Sequence, residues 1–175
     1  ESTRNKLKKD VIDTVLVHDP HILKNEDEMD MVCNVLLDER DKDHLSSLGF
    51  SIYEKIIENE IDSLASMLSK FTLQCPFSIF DRRFEKSITE YSELCTFQIR
   101  SIFLQGLLLN QKTFENKFPN SDPYKNYKTW LEKNNLTSFE ACVSYAKFSQ
   151  AKELVIGFNS VTELEEFGKT YNKVK

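Results

Sequence analysis

Glycine and proline are scarce in this sequence, with four of each in 175 residues. So few turn-forming residues exclude a small all-β protein, whose tight turns consume both, and favour long helices joined by short connections. Cysteine is sparse too: Cys33, Cys75, Cys95 and Cys142 lie far apart, with no C-x-x-C pair and no Cys and His at metal-ligand spacing. No metal site is expected, and a reducing cytoplasm is the simplest compartment. An excess of positive charge is also lacking. Twenty-three basic against 28 acidic residues give a net charge of −5, so no surface is built for polyphosphate or nucleic acid. The longest nearly apolar run, residues 99–109, is broken by Arg100, Ser101 and Gln105 and is too short to cross a bilayer, so no membrane association is expected. The first residues include neither an initiator Met nor an apolar signal region, and they open as if already inside a helix. A missing beginning is expected.

What is present is ordinary for a globular protein: 40% apolar, 29% charged and 11% aromatic residues. The length predicts a single domain over residues 1–175, with a core that stands without disulfide or metal staples.

Along the chain, residues 11–18 read as a buried strand stopped by Asp19-Pro20. Residues 28–45 carry apolar positions at helical spacing, and the strand Leu48-Gly-Phe-Ser-Ile-Tyr53 follows. A helix is predicted over residues 56–70, a strand over 71–75 ended by Pro76, a helix over 84–94 and a strand over 96–103. Residues 110–124 are polar and without period, which predicts an irregular loop, long enough to be a functional flap. Helices over 127–134 and 138–149 come next, the second opened by Thr137 with Glu140 three residues on, the capping-box spacing. The strand Glu153-Leu-Val-Ile-Gly157 precedes a final helix capped near Ser160 and running to about Tyr171. Five strands alternating with helices demand a parallel sheet with right-handed crossovers. Periodicity leaves both an open doubly wound sheet and part of a closed barrel, and both put ligands at the carboxyl ends of the strands.

The strand ends carry the sharper signal. The stretches Val15-Leu-Val-His-Asp-Pro20, Leu48-Gly-Phe-Ser-Ile-Tyr53, Leu73-Gln-Cys-Pro-Phe-Ser-Ile-Phe-Asp-Arg-Arg83, Arg100-Ser-Ile-Phe-Leu-Gln-Gly-Leu-Leu-Leu109 and Val155-Ile-Gly157 occur in that order. Together they resemble the aldo/keto reductase family over essentially the whole chain. The resemblance implies an α/β fold, a (β/α)8 TIM barrel, reducing a carbonyl with a nicotinamide cofactor. It also implies that strands four to eight are represented here and that strands one to three lie before Glu1, since the whole fold takes about 250 residues.

By that resemblance the catalytic tetrad is Asp, Tyr, Lys and His, and only the histidine has a counterpart, His18. It would orient the substrate carbonyl and assist the upstream Tyr general acid; the plainer reading is a strand-closing histidine satisfied by a backbone carbonyl. Ser51 and Gln74 match the side chains that hydrogen-bond the nicotinamide carboxamide, which needs one donor and one acceptor. Arg100 stands where many members place an aromatic ring against the nicotinamide, and it reads equally as a rim salt bridge. Ser101 follows, within reach of the cofactor phosphates. In the last segment, Gly157, Asn159, Ser160, Glu163 and Glu166 fall on the adenosine side of the implied site. Members preferring NADP carry basic residues where this chain has Asn159 and Glu163, so the implied cofactor is NADP or NAD, without an evident 2′-phosphate clamp. The Ser160-Val-Thr turn offers N–H groups at a helix N-terminus to a phosphate of either cofactor.

Other residues have plainer readings. His21 and His44 read as surface residues, Asp81-Arg82-Arg83 as a rim ion-pair cluster or an anion site, and Cys75 as a barrel residue without a base to activate it. Trp130, with Phe118, Tyr124 and Tyr127, forms either an aromatic substrate wall or helix-to-barrel packing. Three functions compete: a cytoplasmic nicotinamide-dependent reductase of a small-molecule carbonyl, a non-catalytic relative that kept the fold and lost the chemistry, and a partial barrel completing its sheet as a homo-oligomer.

Overall fold

A computed structural model describes residues 2–18, 25–53 and 58–174, with only the backbone of residues 2 and 58–60. His21, the Asp19-Pro20 turn and the first residues of the helix expected over 56–70 lie outside the described residues. The elements in order are α1 (Ser2–Leu7), β1 (Ile12–Val17), α2 (Glu26–Asp41), β2 (Leu45–Ser51), α3 (Glu58–Met67), β3 (Thr72–Pro76) and α4 (Glu85–Tyr91). There follow β4 (Thr96–Arg100), a single 3₁₀ turn (Leu107–Leu109), α5 (Gln111–Lys117), α6 (Asp122–Asn134), α7 (Ser138–Lys147), β5 (Glu153–Val155) and α8 (Val161–Lys173).

The five strands form one parallel sheet in the order β1-β2-β3-β4-β5, each beside its predecessor in sequence. A doubly wound sheet reverses its order at a switch point, whereas a barrel never does. The order therefore settles the alternative that periodicity left open: this is half of a barrel, five parallel strands alternating with helices.

Alternation along each strand splits the sheet into two unlike faces. Leu48, Phe50, Ile52, Leu73, Cys75 and Phe97 are at most 1% exposed. They form a core with Met29 and Cys33 of α2, Ile61 and Leu64 of α3, and Ile88 of α4, all of them buried. The opposite face carries Ser47, Gly49 and Ser51 on β2, Thr72 and Gln74 on β3, and Thr96 and Gln98 on β4. A complete barrel usually fills its interior with branched apolar residues, so this polar face marks a place where side chains do something other than pack.

Chain contacts divide the protein into two compact units, the first made of Glu1–Cys75, Phe84–Gln98 and Gln150–Glu153, the second of Pro76–Arg83, Ile99–Ser149 and Leu154–Lys175. In the second unit the core gathers Leu108, Phe114, Tyr124, Tyr127, Ala141 and Cys142. Phe114 and Tyr124 stack with ring centroids 3.9 Å apart. The Tyr127 hydroxyl lies 2.8 Å from Ser138 Oγ, whose own hydroxyl donates to the Leu108 carbonyl at 2.6 Å. Burial raises the Tyr127 phenol well above the usual tyrosine range, so it serves as a neutral donor.

Five expectations need correction. Residues 110–124 are not an irregular flap: α5 and the start of α6 together occupy most of the stretch. The helix signal was carried by caps rather than by period. Asn110 accepts from the Thr113 N–H, Ser121 accepts from the Tyr124 N–H, and Phe114 alone anchors α5 in the core. Leu45 belongs to β2 and not to the preceding helix, which ends at Asp41. The strand expected over 96–103 ends at Arg100, and the one expected over 153–157 ends at Val155. Finally, β1 is only half-buried, because it lies at the edge of the sheet.

All four cysteines are free and buried. Burial pushes the Cys95 thiol up to about 12 and the Cys142 thiol up to about 11, and raises Cys33 as well. None is poised as a thiolate nucleophile. In the native state at pH 8 a chromogenic disulfide reagent should titrate none of them rapidly, and all four should react once urea unfolds the chain; fast native labelling would contradict this packing.

Candidate functional site

In the first unit the candidates sit where β1, β2 and β3 end. His18 directly follows β1, and its Nε2 lies 2.6 Å from the Tyr53 hydroxyl, with the two rings edge-to-face at 5.3 Å and 75°. Both side chains are exposed. In such a contact one of the two groups donates its proton to the other. Tyr53 was not singled out as a candidate from sequence, although its place two residues beyond Ser51 puts it on the same face of the chain.

Ser51 and Gln74 are register partners on β2 and β3, and they touch: Ser51 Oγ donates to Gln74 Oε1 at 3.4 Å. Ser51 is 3% exposed and Gln74 half-buried. The bond does not stop there. Gln74 Nε2 donates to Gln98 Oε1 at 3.1 Å, and Gln98 Nε2 donates to the Glu153 carboxylate. One hydrogen-bonded row thus joins four adjacent strands on the polar face. Gln98 and Glu153 were missed in the sequence; the alternation Thr96-Phe-Gln-Ile-Arg100, with its polar residues in step with Gln74, is the signal that could have found Gln98.

In the second unit the segments after β4 and β5 line a cavity of about 680 Å³, a usual size for a small-molecule site. Its wall includes Arg100, Ser101, Gly157, Asn159, Glu163 and Glu166, six of the residues implied by resemblance. Apolar surface comes from Phe158 and from Phe103 stacked on Phe139, with centroids 5.3 Å apart. The turn after β4 is held in an unusual conformation. Ser101, Leu104 and Gln105 have φ of 61°, 50° and 57°, and Gly106 has 82°, so three residues with side chains adopt the left-handed region that favours glycine. Strain of this kind collects at ligand sites.

Ser160 is not among the residues lining the cavity. It caps α8, its Oγ accepting from the Glu163 N–H at 3.2 Å. The Glu163 carboxylate in turn accepts from the Asn159 N–H at 2.8 Å. Two of the N–H groups that could face a phosphate are therefore taken, one of them by a carboxylate. Charge in the wall reads the same way: one guanidinium, Arg100, stands against two carboxylates, Glu163 and Glu166.

The remaining candidates make contacts of their own. Arg83 pairs with Asp81 through two bonds of 2.8 Å, and this holds the Asp81 carboxyl below the usual range. Arg82 lies over the Tyr145 ring at 5.0 Å. Tyr124 and Tyr127 are core residues, whereas Trp130 and Phe118 remain about half exposed. His44 Nδ1 bonds the Glu39 carboxylate at 2.8 Å on the surface. Among the described residues no cluster of His, Cys, Asp and Glu could hold a metal ion, and no helix is long and apolar enough to cross a membrane.

No protein-family model matches the sequence, and neither does any curated protein. The fold, however, matches solved structures. The aldo-keto reductase AKR11C1 from Bacillus halodurans, in its holo form, matches with a TM-score of 0.69 and 16% identity over 97% of this chain and 58% of that chain. Two structures of a putative aldo-keto reductase from Pseudomonas aeruginosa each match with a TM-score of 0.64 and 11% identity, over 99% of this chain and 54% and 56% of theirs. The chain has the fold of part of an aldo-keto reductase barrel, and it spans a little over half the length of the solved structures it matches.

Proposed function

We propose that this chain carries the dinucleotide-binding part of a nicotinamide-dependent carbonyl reductase. The observation that carries the reading is the gathering of Arg100, Ser101, Gly157, Asn159, Glu163 and Glu166 around one cavity at the carboxyl ends of β4 and β5. Barrels of this type bind their ligands at that end.

Within the first unit, the pair Ser51 and Gln74 taken by itself matches a primary carboxamide. With its hydroxyl hydrogen given to Gln74, Ser51 keeps oxygen lone pairs as an acceptor, and Gln74 Nε2 keeps its second hydrogen as a donor. A primary amide needs that combination. When bound, such a cofactor supplies a hydride to a carbonyl carbon. Arg100 offers the flat face of its guanidinium to an aromatic ring, and Glu166 offers an acceptor to an amino group of a base. His18 and Tyr53 hold a proton that a carbonyl oxygen would take as it becomes a hydroxyl.

The wall of the cavity favours a free ribose hydroxyl over a 2′-phosphate. Glu163 and Glu166 repel a dianion, while a carboxylate accepts from a hydroxyl. NADH should therefore bind more tightly than NADPH, by about tenfold or more, in a fluorescence titration of the full chain. Glu163→Gln should narrow the gap. Equal affinity for the two in the unaltered chain would sink this assignment, and binding of neither would leave the non-catalytic alternative standing. That alternative is favoured by one observation: the Glu163 carboxylate occupies the Asn159 N–H, on the side of α8 where a cofactor phosphate would sit.

A further inference from the structure

We infer that Glu153 and Gln98 are positioning residues that fix which way the Gln74 amide faces, and so decide which way round the site holds a carboxamide; the inference rests on the dinucleotide reading above. The four residues Ser51, Gln74, Gln98 and Glu153 come from β2, β3, β4 and β5 and form one unbroken row.

The row has a direction, and Glu153 sets it. A carboxylate only accepts hydrogen bonds, so Gln98 must turn its NH₂ toward β5 and its carbonyl toward β3. Gln74 must then turn its NH₂ toward β4 and its carbonyl toward β2, which leaves Ser51 no choice but to donate. An amide alone could face either way at nearly equal cost. Anchored on a charge, each amide has one orientation, and bonds to an ionised group are stronger than neutral ones. The outcome at the far end is the donor and acceptor pair that a primary carboxamide matches. If the row were reversed, Ser51 would accept from Gln74 and point its hydroxyl hydrogen outward, and the Gln74 carbonyl would face β4; donor and acceptor would change places, and a carboxamide would have to turn over to meet them.

Packing alone does not require these residues. Gln98 lies between Phe97 and Ile99, each 1% exposed on the other face, and an apolar side chain would suit a barrel interior as well. Glu153 is exposed, so its replacement leaves no hole in the core.

The test compares NADH with ADP-ribose, which shares every group except the nicotinamide, in the full-length Glu153→Ala and Gln98→Leu variants. Both variants should bind NADH about tenfold more weakly and ADP-ribose as tightly as the unaltered chain. The side-chain amide NMR signals of Gln74 should shift in Glu153→Ala, although the substitution lies two strands away. Equal weakening of both probes, unchanged NADH affinity, or an unmoved Gln74 signal would each overturn the inference. Failure of both probes to bind the unaltered chain would instead sink the dinucleotide reading and the carboxamide role with it, while the Gln74 signals would still report whether Glu153 sets its orientation.

Discussion

Gly49→Ala is expected to destabilise the protein by about 3 kcal/mol or more, a large effect for one methyl group. Gly49 lies in the middle of β2, paired with Leu16 on β1 and Thr72 on β3. A Cβ there would fall onto the Thr72 carbonyl oxygen, 2.7 Å from its carbon and 2.9 Å from its Cα. Those are backbone atoms, so no rotamer change relieves the clash, and moving the strand would break two parallel ladders together. Gly168 in α8 provides the control, because a Cβ there meets nothing within 4 Å. Gly168→Ala should stabilise by about 1 kcal/mol through helix propensity. Urea denaturation of the two variants gives the comparison. If Gly49→Ala unfolded at the same urea concentration as the unaltered chain, the pairing of β2 with β3 would be wrong.

On the reductase reading proposed above, His18→Ala should lower kcat/KM for reduction of a reactive aldehyde by at least about 100-fold, with NADH affinity unchanged. The separation of the two effects follows from the geometry. His18 contacts Tyr53 at the end of β1, whereas the residues proposed to hold the cofactor are Ser51, Gln74 and the cavity wall. Tyr53→Phe keeps the ring that His18 meets edge-on and removes only the hydroxyl, so its loss should be in kcat rather than in NADH binding. A His18→Ala variant that kept full turnover would remove His18 from the chemistry. A variant that lost NADH binding as well would make it a structural residue instead.

Much of the fold could be read from residue order alone. β2, β3 and β4 have apolar positions alternating with small or polar ones, and Pro76 closes β3. The α7 capping box was visible as Thr137 and Glu140 and is formed in full. α5 was not legible, since six of its seven residues are exposed and its one buried residue, Phe114, makes no period. The site was legible to the same depth. Ser51 and Gln74 stand out as polar residues ending apolar strands, but that they touch depends on register, which the sequence does not display. Gln98 and Glu153 escaped notice because each looks like an ordinary exposed strand residue until the sheet sets them beside Gln74. Ser160 was visible as both a cap and a cofactor residue, and the cap is what its hydroxyl makes.

The most direct test of the account is a residue-resolved NMR titration of the isotope-labelled full chain with NADH. Saturable shifts at Arg100, Ser101, Gly157, Asn159 and Glu166, the residues lining the cavity of the second unit, are the predicted result, and shifts at Ser51 and Gln74 test the carboxamide role separately. Shifts confined to the smaller hollow beside Tyr124, Lys128 and Glu132, or no shifts at all, would contradict the claim that this half-barrel holds a nicotinamide dinucleotide.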